Sequence, residues 1–97
     1  MTRLGTVRTL RGAYLGSSGQ VKAGSAVVVN VTAIATATAG YVQLRDGGAS
    51  GTVVYRVETP ASAGESTCVY FGDSEGLRFL TDIYVELSNA AASVAFE

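Results

Sequence analysis

A serine between glycines is the first place to look for chemistry in this sequence. Gly72-Asp73-Ser74-Glu75-Gly76 fits G-x-S-x-G, the sharp turn that presents a nucleophilic serine at the end of a strand. That chemistry needs a base to take the hydroxyl proton, and none of the 97 residues is a histidine. No helix pattern follows the motif, so it reads as a loop and no catalytic residue is assigned. The chain is expected not to be an enzyme. Asp73, Glu75 and Asp82 offer the hard oxygens that calcium takes, but D-x-E is only a fragment of a calcium loop, and solvated loop acids are the simpler reading. Gly47–Gly51 is glycine-rich like a phosphate cradle, yet it lacks the G-K-[ST] ending and lies between two strand patterns, where a hairpin tip is expected. Asn30-Val31-Thr32 is a glycosylation sequon in the middle of a predicted strand. Cys68 is the single cysteine, which excludes an internal disulfide and a multi-cysteine zinc cluster. No cofactor and no metal are expected.

What remains is contact chemistry. Tyr14, Tyr41, Tyr70 and Tyr84 lie in strand-like segments, and the alternation around Tyr41 and Tyr84 turns both away from the core. Residues 1–45 hold Arg3, Arg8, Arg11, Lys22 and Arg45 with no acid, whereas 46–97 hold Arg56 and Arg78 against eight acids. The two parts either interleave in one sandwich or make a polar molecule, with residues 1–11 as a basic arm reaching an acidic partner. Arg3, Arg8, Arg11, Tyr14, Tyr41 and Tyr84 are therefore the candidate interface residues. Nucleic acid is not expected as the partner, because a pI near 5.3 lacks the basic stripe that phosphate binding requires. No apolar run reaches the ~20 residues of a membrane-spanning helix, and MTRLGTVRTLRG lacks a signal peptide's apolar stretch. A soluble, unexported chain is expected.

The elements that must position these side chains are strands. Charged residues make up 15% of the chain and hydrophobic residues 47%, so it has the apolar content to fold. Val, Thr, Ile and Tyr dominate the apolar segments, and Gly or Ser interrupts them before a helical period can run for ten residues. Ala26–Ala35 places Val27, Val29, Val31, Ala33 and Ala35 on the core face. Val42 and Leu44 alternate with Gln43 and Arg45, and Val53, Tyr55 and Val57 alternate with Val54, Arg56 and Glu58. Asp46-Gly47-Gly48 between them marks a hairpin. Ser66–Phe71 is a strand with either Val69 and Phe71 or Cys68 and Tyr70 inward. Leu77-Arg78-Phe79, a bend near Thr81-Asp82, and Ile83–Leu87 follow, and Ser93–Phe96 closes the chain as an edge strand. Thr6–Leu15 reads as strand and Gly16–Gly24 as a flexible connection. In Ala33–Ala39 the Thr/Ala alternation favours strand against alanine's helix propensity. The expected fold is one all-β domain over residues 1–97, an antiparallel β-sandwich of seven or eight short strands, jelly-roll-like more than a closed barrel.

Gln43–Gly64 (QLRDGGASGTVVYRVETPASAG) and Gly76–Phe96 (GLRFLTDIYVELSNAAASVAF) resemble small all-β virion proteins of tailed bacteriophages. The shared pattern is a DGG hairpin, a P-A-x-A-G loop, G-[IL]-R-F and [IV]-Y-V, and it covers about half the chain. The resemblance implies a structural protein of the virion, made in the host cytoplasm. A capsid decoration or cement protein would bind the outer face of the major capsid protein, as a homotrimer or other homo-oligomer. A tail, fibre or connector subunit is the alternative within the virion, and a free carbohydrate- or peptide-binding module the alternative outside it.

Overall fold

In the chain's segments of alternating apolar and polar residues, β-branched side chains predominate and most of the glycines fall between the strands, which favours strands over helices. The computed structural model describes residues 11–71 and 76–97, and among them all regular structure is β. The strands are β1 (Arg11–Leu15), β2 (Gly19–Ala23), β3 (Ala26–Ala35), β4 (Gly40–Asp46), β5 (Thr52–Thr59), β6 (Ser66–Tyr70), β7 (Leu77–Phe79), β8 (Asp82–Ser88) and β9 (Ala90–Phe96).

They form two antiparallel sheets. One runs β1-β9-β3-β6, with the short β7 beside β3 beyond the end of β6; the other runs β2-β8-β4-β5. The pairing is nested about the β4–β5 hairpin: β4 with β5, β3 with β6, β2 with β8, β1 with β9. A long two-stranded ribbon folded over itself in this way is a jelly-roll order within a β-sandwich. The nesting also interleaves the basic and acidic parts of the sequence, so that Arg45 on β4 meets Glu86 on β8.

One cluster of buried side chains joins the sheets. Val28, Val31, Ala33, Ala92 and Val94 meet Val42, Leu44, Ile83 and Val85, and Phe79 is fully enclosed among them. At one corner two of the chain crossings between the sheets lie together: Thr36–Ala39 after β3, and Asn89 alone between β8 and β9. Asn89 takes a positive φ of 50°, which asparagine tolerates, and the Thr36 hydroxyl donates to its carbonyl oxygen at 2.9 Å. Gly40 sits so close to the Ser88 carbonyl that no side chain fits there.

Several sequence expectations change. Nine strands are present among the described residues rather than seven or eight. Gly16–Gly24 is not merely a connection, since Gly19–Ala23 is the edge strand β2, with Val21 packed on the core. β9 is not an edge strand, because it lies between β1 and β3. In β3 the inward face is Ala26, Val28, Val31, Ala33 and Ala35, so Val27 is not a core residue: a bulge between Val28 and Asn30 shifts the alternation by one. Val29, at the bulge, is buried but lies outside the central cluster. A second bulge, where Leu44 pairs with Tyr55 but Arg45 with Val53, turns Val53 outward and lets Val54 pack against the core. In β6, Val69 and then Phe71 face the core, while Cys68 and Tyr70 are exposed. Phe71 packs edge-on against Tyr55 with ring centroids 5.0 Å apart.

Candidate interaction faces

A two-layer sandwich offers two outer faces, and alternation decides which residues each displays. On the four-stranded sheet, inward Val42, Leu44, Ile83 and Val85 leave Tyr41, Gln43, Arg45, Tyr84 and Glu86 pointing outward. Cross-strand pairing sets Gln43 beside Glu86 and Arg56. Glu86 is the centre of a network. It accepts hydrogen bonds from the Tyr41 hydroxyl at 2.7 Å, Gln43 Nε2 at 3.2 Å and Arg45 Nε at 2.7 Å. Arg45 Nη1 also donates to the Gly51 carbonyl at 2.8 Å. The Arg56 guanidinium lies over the Tyr41 ring, 3.9 Å from its centroid, and donates to Gln43 Oε1 and to Glu58. The Tyr41 hydroxyl, with Arg45 next, holds the Glu86 carboxyl below its usual range, and the same bond to Glu86 pushes the Tyr41 phenol up.

At one end of this sheet two carboxylates tie two loops together. Asp46 accepts from the backbone amides of Leu80 at 2.9 Å, Thr81 at 2.8 Å and Asp82 at 3.3 Å. Asp82 accepts from the amides of Gly47 at 2.8 Å and Gly48 at 3.0 Å, and from Gln20 Nε2 at 2.9 Å. Gly47 and Gly48 have φ of 113° and 84°, which side-chain-bearing residues rarely adopt, and in this conformation both amides reach Asp82. These bonds hold both carboxyls below their usual range, Asp46 chiefly through Leu80 and Thr81, Asp82 chiefly through Gln20 and Gly47. The expectation that Asp82 is a loop acid in water is corrected: it is buried, and its oxygens are engaged by donors. Asp73 and Glu75, its partners in the calcium reading, lie outside the described residues. Among the described residues no cluster of three His, Cys, Asp or Glu side chains is placed to hold a metal.

The outer face of the five-stranded sheet is different in kind. Its strand registers set Tyr14, Ser93, Thr32 and Cys68 in one row, Gly12, Ala95, Asn30 and Tyr70 in the next, and Ala91, Ile34 and Ser66 in a third. No residue in these rows is charged. The charged residues Arg78 and Glu97 lie beside Val27, past the β3 bulge at the far end. The Glu86 network lies on the other sheet, and further side-chain hydrogen bonds lie in the Asp46–Asp82 pair and at the Thr36–Asn89 corner.

The six residues expected to form an interface are therefore not gathered in one place. Tyr41 and Tyr84 do point away from the core, but on the charged sheet, where Tyr41 is bound to Glu86. Tyr14 is well exposed on the uncharged face, on the opposite side of the sandwich. Arg11 opens β1 opposite Phe96 and is exposed; Arg3 and Arg8 lie outside the described residues. Sequence reasoning missed Glu86 as the centre of the network and Asn30, Thr32 and Ser93 as parts of a single face. The alternation signal placed Asn30 and Thr32 outward, but strand neighbours far apart in sequence cannot be assigned from alternation alone. No protein-family model matches the chain, and neither a curated protein nor a solved structure matches it.

Proposed function

We propose that this protein is an assembly subunit of a bacteriophage virion, a decoration or cement protein that docks on the outer surface of the major capsid protein as a homo-oligomer. The observation that carries an assembly role is the outer face of the five-stranded sheet, where the rows of described residues carry no charge and consist mostly of small and hydroxyl side chains, with Tyr14 and Tyr70 exposed at the two edges. Such a face can be covered by another protein without stranding a charge. The virion itself is inferred from the sequence resemblance, whose two segments meet through Asp46 and Asp82. The jelly-roll order suits this reading, although the same architecture also serves lectins and cupins, so the fold alone does not select it. In this proposal residues 1–11, with Arg3, Arg8 and Arg11, add electrostatic attraction to an acidic capsid surface, and a trimer would match threefold positions of the shell.

The test is sedimentation of the purified full-length protein with empty, expanded capsids of the phage that encodes it. Saturable co-sedimentation that weakens on deletion of residues 1–11 is the expected result. Absence of binding to capsids, together with binding of the monomer to glycans on an array, would replace this reading with a free carbohydrate-binding module.

A further inference from the structure

Every sandwich of open sheets has edges whose unpaired backbone groups can bond another strand, and proteins protect them with charges, prolines or bulges. Among the described residues this molecule has edges at β1, β2, β5, β6 and the short β7, which carries Arg78. β2 carries Lys22 and a bulge between Gln20 and Lys22. β5 carries Arg56 and Glu58 and a bulge opposite Leu44 and Arg45. β1 begins with Arg11. β6, Ser-Thr-Cys-Val-Tyr, has no charge, no proline, no glycine and an unbroken register with β3.

We infer that β6 is a self-pairing edge, which joins a second copy of this chain in antiparallel register about a twofold axis at Cys68. Hydrogen-bond parity selects that register. The Ala35 amide donates to the Glu65 carbonyl and the Phe71 amide to the Val29 carbonyl, each at 2.8 Å. In an antiparallel ladder the odd-numbered residues 65 to 71 therefore turn their backbone groups toward β3, and Ser66 and Cys68 turn theirs away from it. A twofold at Cys68 sets these outward groups of the two copies opposite each other, Cys68 facing Cys68, with only uncharged residues on either side. The nearest acid, Glu65, then lies across from Phe71 of the copy. The two Glu65 residues stand six positions apart, about 20 Å, beyond the screening length of physiological salt. The pairing also continues the uncharged outer face from one copy to the next.

Size sets how strong this contact is. Five residues give a ladder of about 17 Å, and the molecule's thinnest dimension is 16 Å, so the contact covers about 270 Å² per copy against about 800 Å² in a stable complex. The pair is therefore transient in dilute solution and becomes populated where copies are crowded. This inference concerns two copies alone and does not depend on the virion reading.

Cys68 provides the trap, since directly opposed residues of a hydrogen-bonded pair have Cα atoms about 5.5 Å apart, within the span of a disulfide. Diamide added to the full-length protein at high concentration would take two protons and two electrons from two Cys68 thiols and leave as its hydrazine, with one S–S bond formed. The comparison is the Cys68→Ser/Thr52→Cys variant, which moves the thiol to the exposed start of β5. Cys68 should cross-link about tenfold faster or more, because alignment raises the effective concentration of the second thiol. A second measurement dispenses with the disulfide: the weight-average mass of the reduced protein by sedimentation equilibrium should rise with concentration, and Cys68→Lys, which opposes two like charges at the axis, should remove that rise while thermal unfolding shows the fold retained. Equal cross-linking rates for the two thiols, or a mass that rises equally in Cys68→Lys, would overturn the inference.

Discussion

The two outer faces of this sandwich are built on the same core and use their side chains in opposite ways. On the four-stranded sheet Tyr41, Gln43, Arg45, Arg56 and Glu86 bind one another, so a partner arriving there must compete with hydrogen bonds already made. On the five-stranded sheet Asn30, Thr32 and Ser93 lie in rows where no described residue is charged. A partner meets less desolvation there, because it displaces water from small neutral groups and not from ions. The difference assigns stability to one face and availability to the other, and it can be broken at graded strengths.

The largest effect belongs to the core both faces share. Phe79 is fully buried between the sheets, and Phe79→Ala should cost about 3–5 kcal/mol, read from the urea midpoint at constant m-value. Gly76, which precedes β7, shows why this segment has no freedom: a Cβ there would collide with the Val27 side chain, and its φ is 66°. If Phe79→Ala cost less than removal of a surface carboxylate, polar ties rather than the core would be holding the sheets.

Next in size is the Asp46–Asp82 pair. Both carboxyls are held below their usual value in the folded protein, so the folded state takes up protons less readily than the unfolded chain. Their contribution is thus complete above the unfolded value, about 4, and is lost as pH falls through the lower folded values. Asp82→Asn keeps an oxygen acceptor but loses the charge, so it should melt lower than the wild type near neutrality. The gap between the two should narrow when the melts are repeated near pH 3. A gap that stays constant would mean the Gly47 and Gly48 amides do not depend on the charge.

A smaller change is expected at Glu86, which is partly open to water, where screening weakens an ion pair. Glu86→Gln should lower stability less than Asp82→Asn. Its sharper readout is Tyr41, whose phenol is pushed up first by the bond to Glu86 and then by burial. In a difference titration of phenolate absorbance, the Tyr41 phenol should move down toward the ordinary value in the variant.

How much of this was legible in the sequence depended on the range of the interaction. Alternation gave Val42, Leu44, Ile83 and Val85 their inward places, because period two is a local property of a strand. Asp-Gly-Gly gave the hairpin, since positive φ is local as well. The bulges at Val28–Asn30 and at Leu44–Arg45 were not legible: each inserts one residue to suit a partner strand distant in sequence, and everything beyond it changes face. β2 was missed because Val21 is its one apolar residue that packs inward, and its pairing with β8 makes the strand. Asp46 and Asp82 each looked like ordinary turn residues; their reciprocal bonds exist only because the nested topology folds one loop onto the other.

The smallest effect on stability is the most informative about function. Thr32 lies at the middle of the uncharged face, between Ser93 and Cys68 on the neighbouring strands, and is partly exposed. Thr32→Lys removes no hydrogen bond seen among the described residues, and the long side chain can extend into water, so stability should change by no more than about 0.5 kcal/mol. Its ammonium, however, would be buried without a partner by any neutral surface laid on this face, and the cost of stripping its water would fall on the complex alone. Capsid co-sedimentation should therefore be lost in Thr32→Lys and kept in Glu86→Gln. The reverse pattern would exchange the roles of the two faces, and would mean that the network around Glu86 opens to receive the partner.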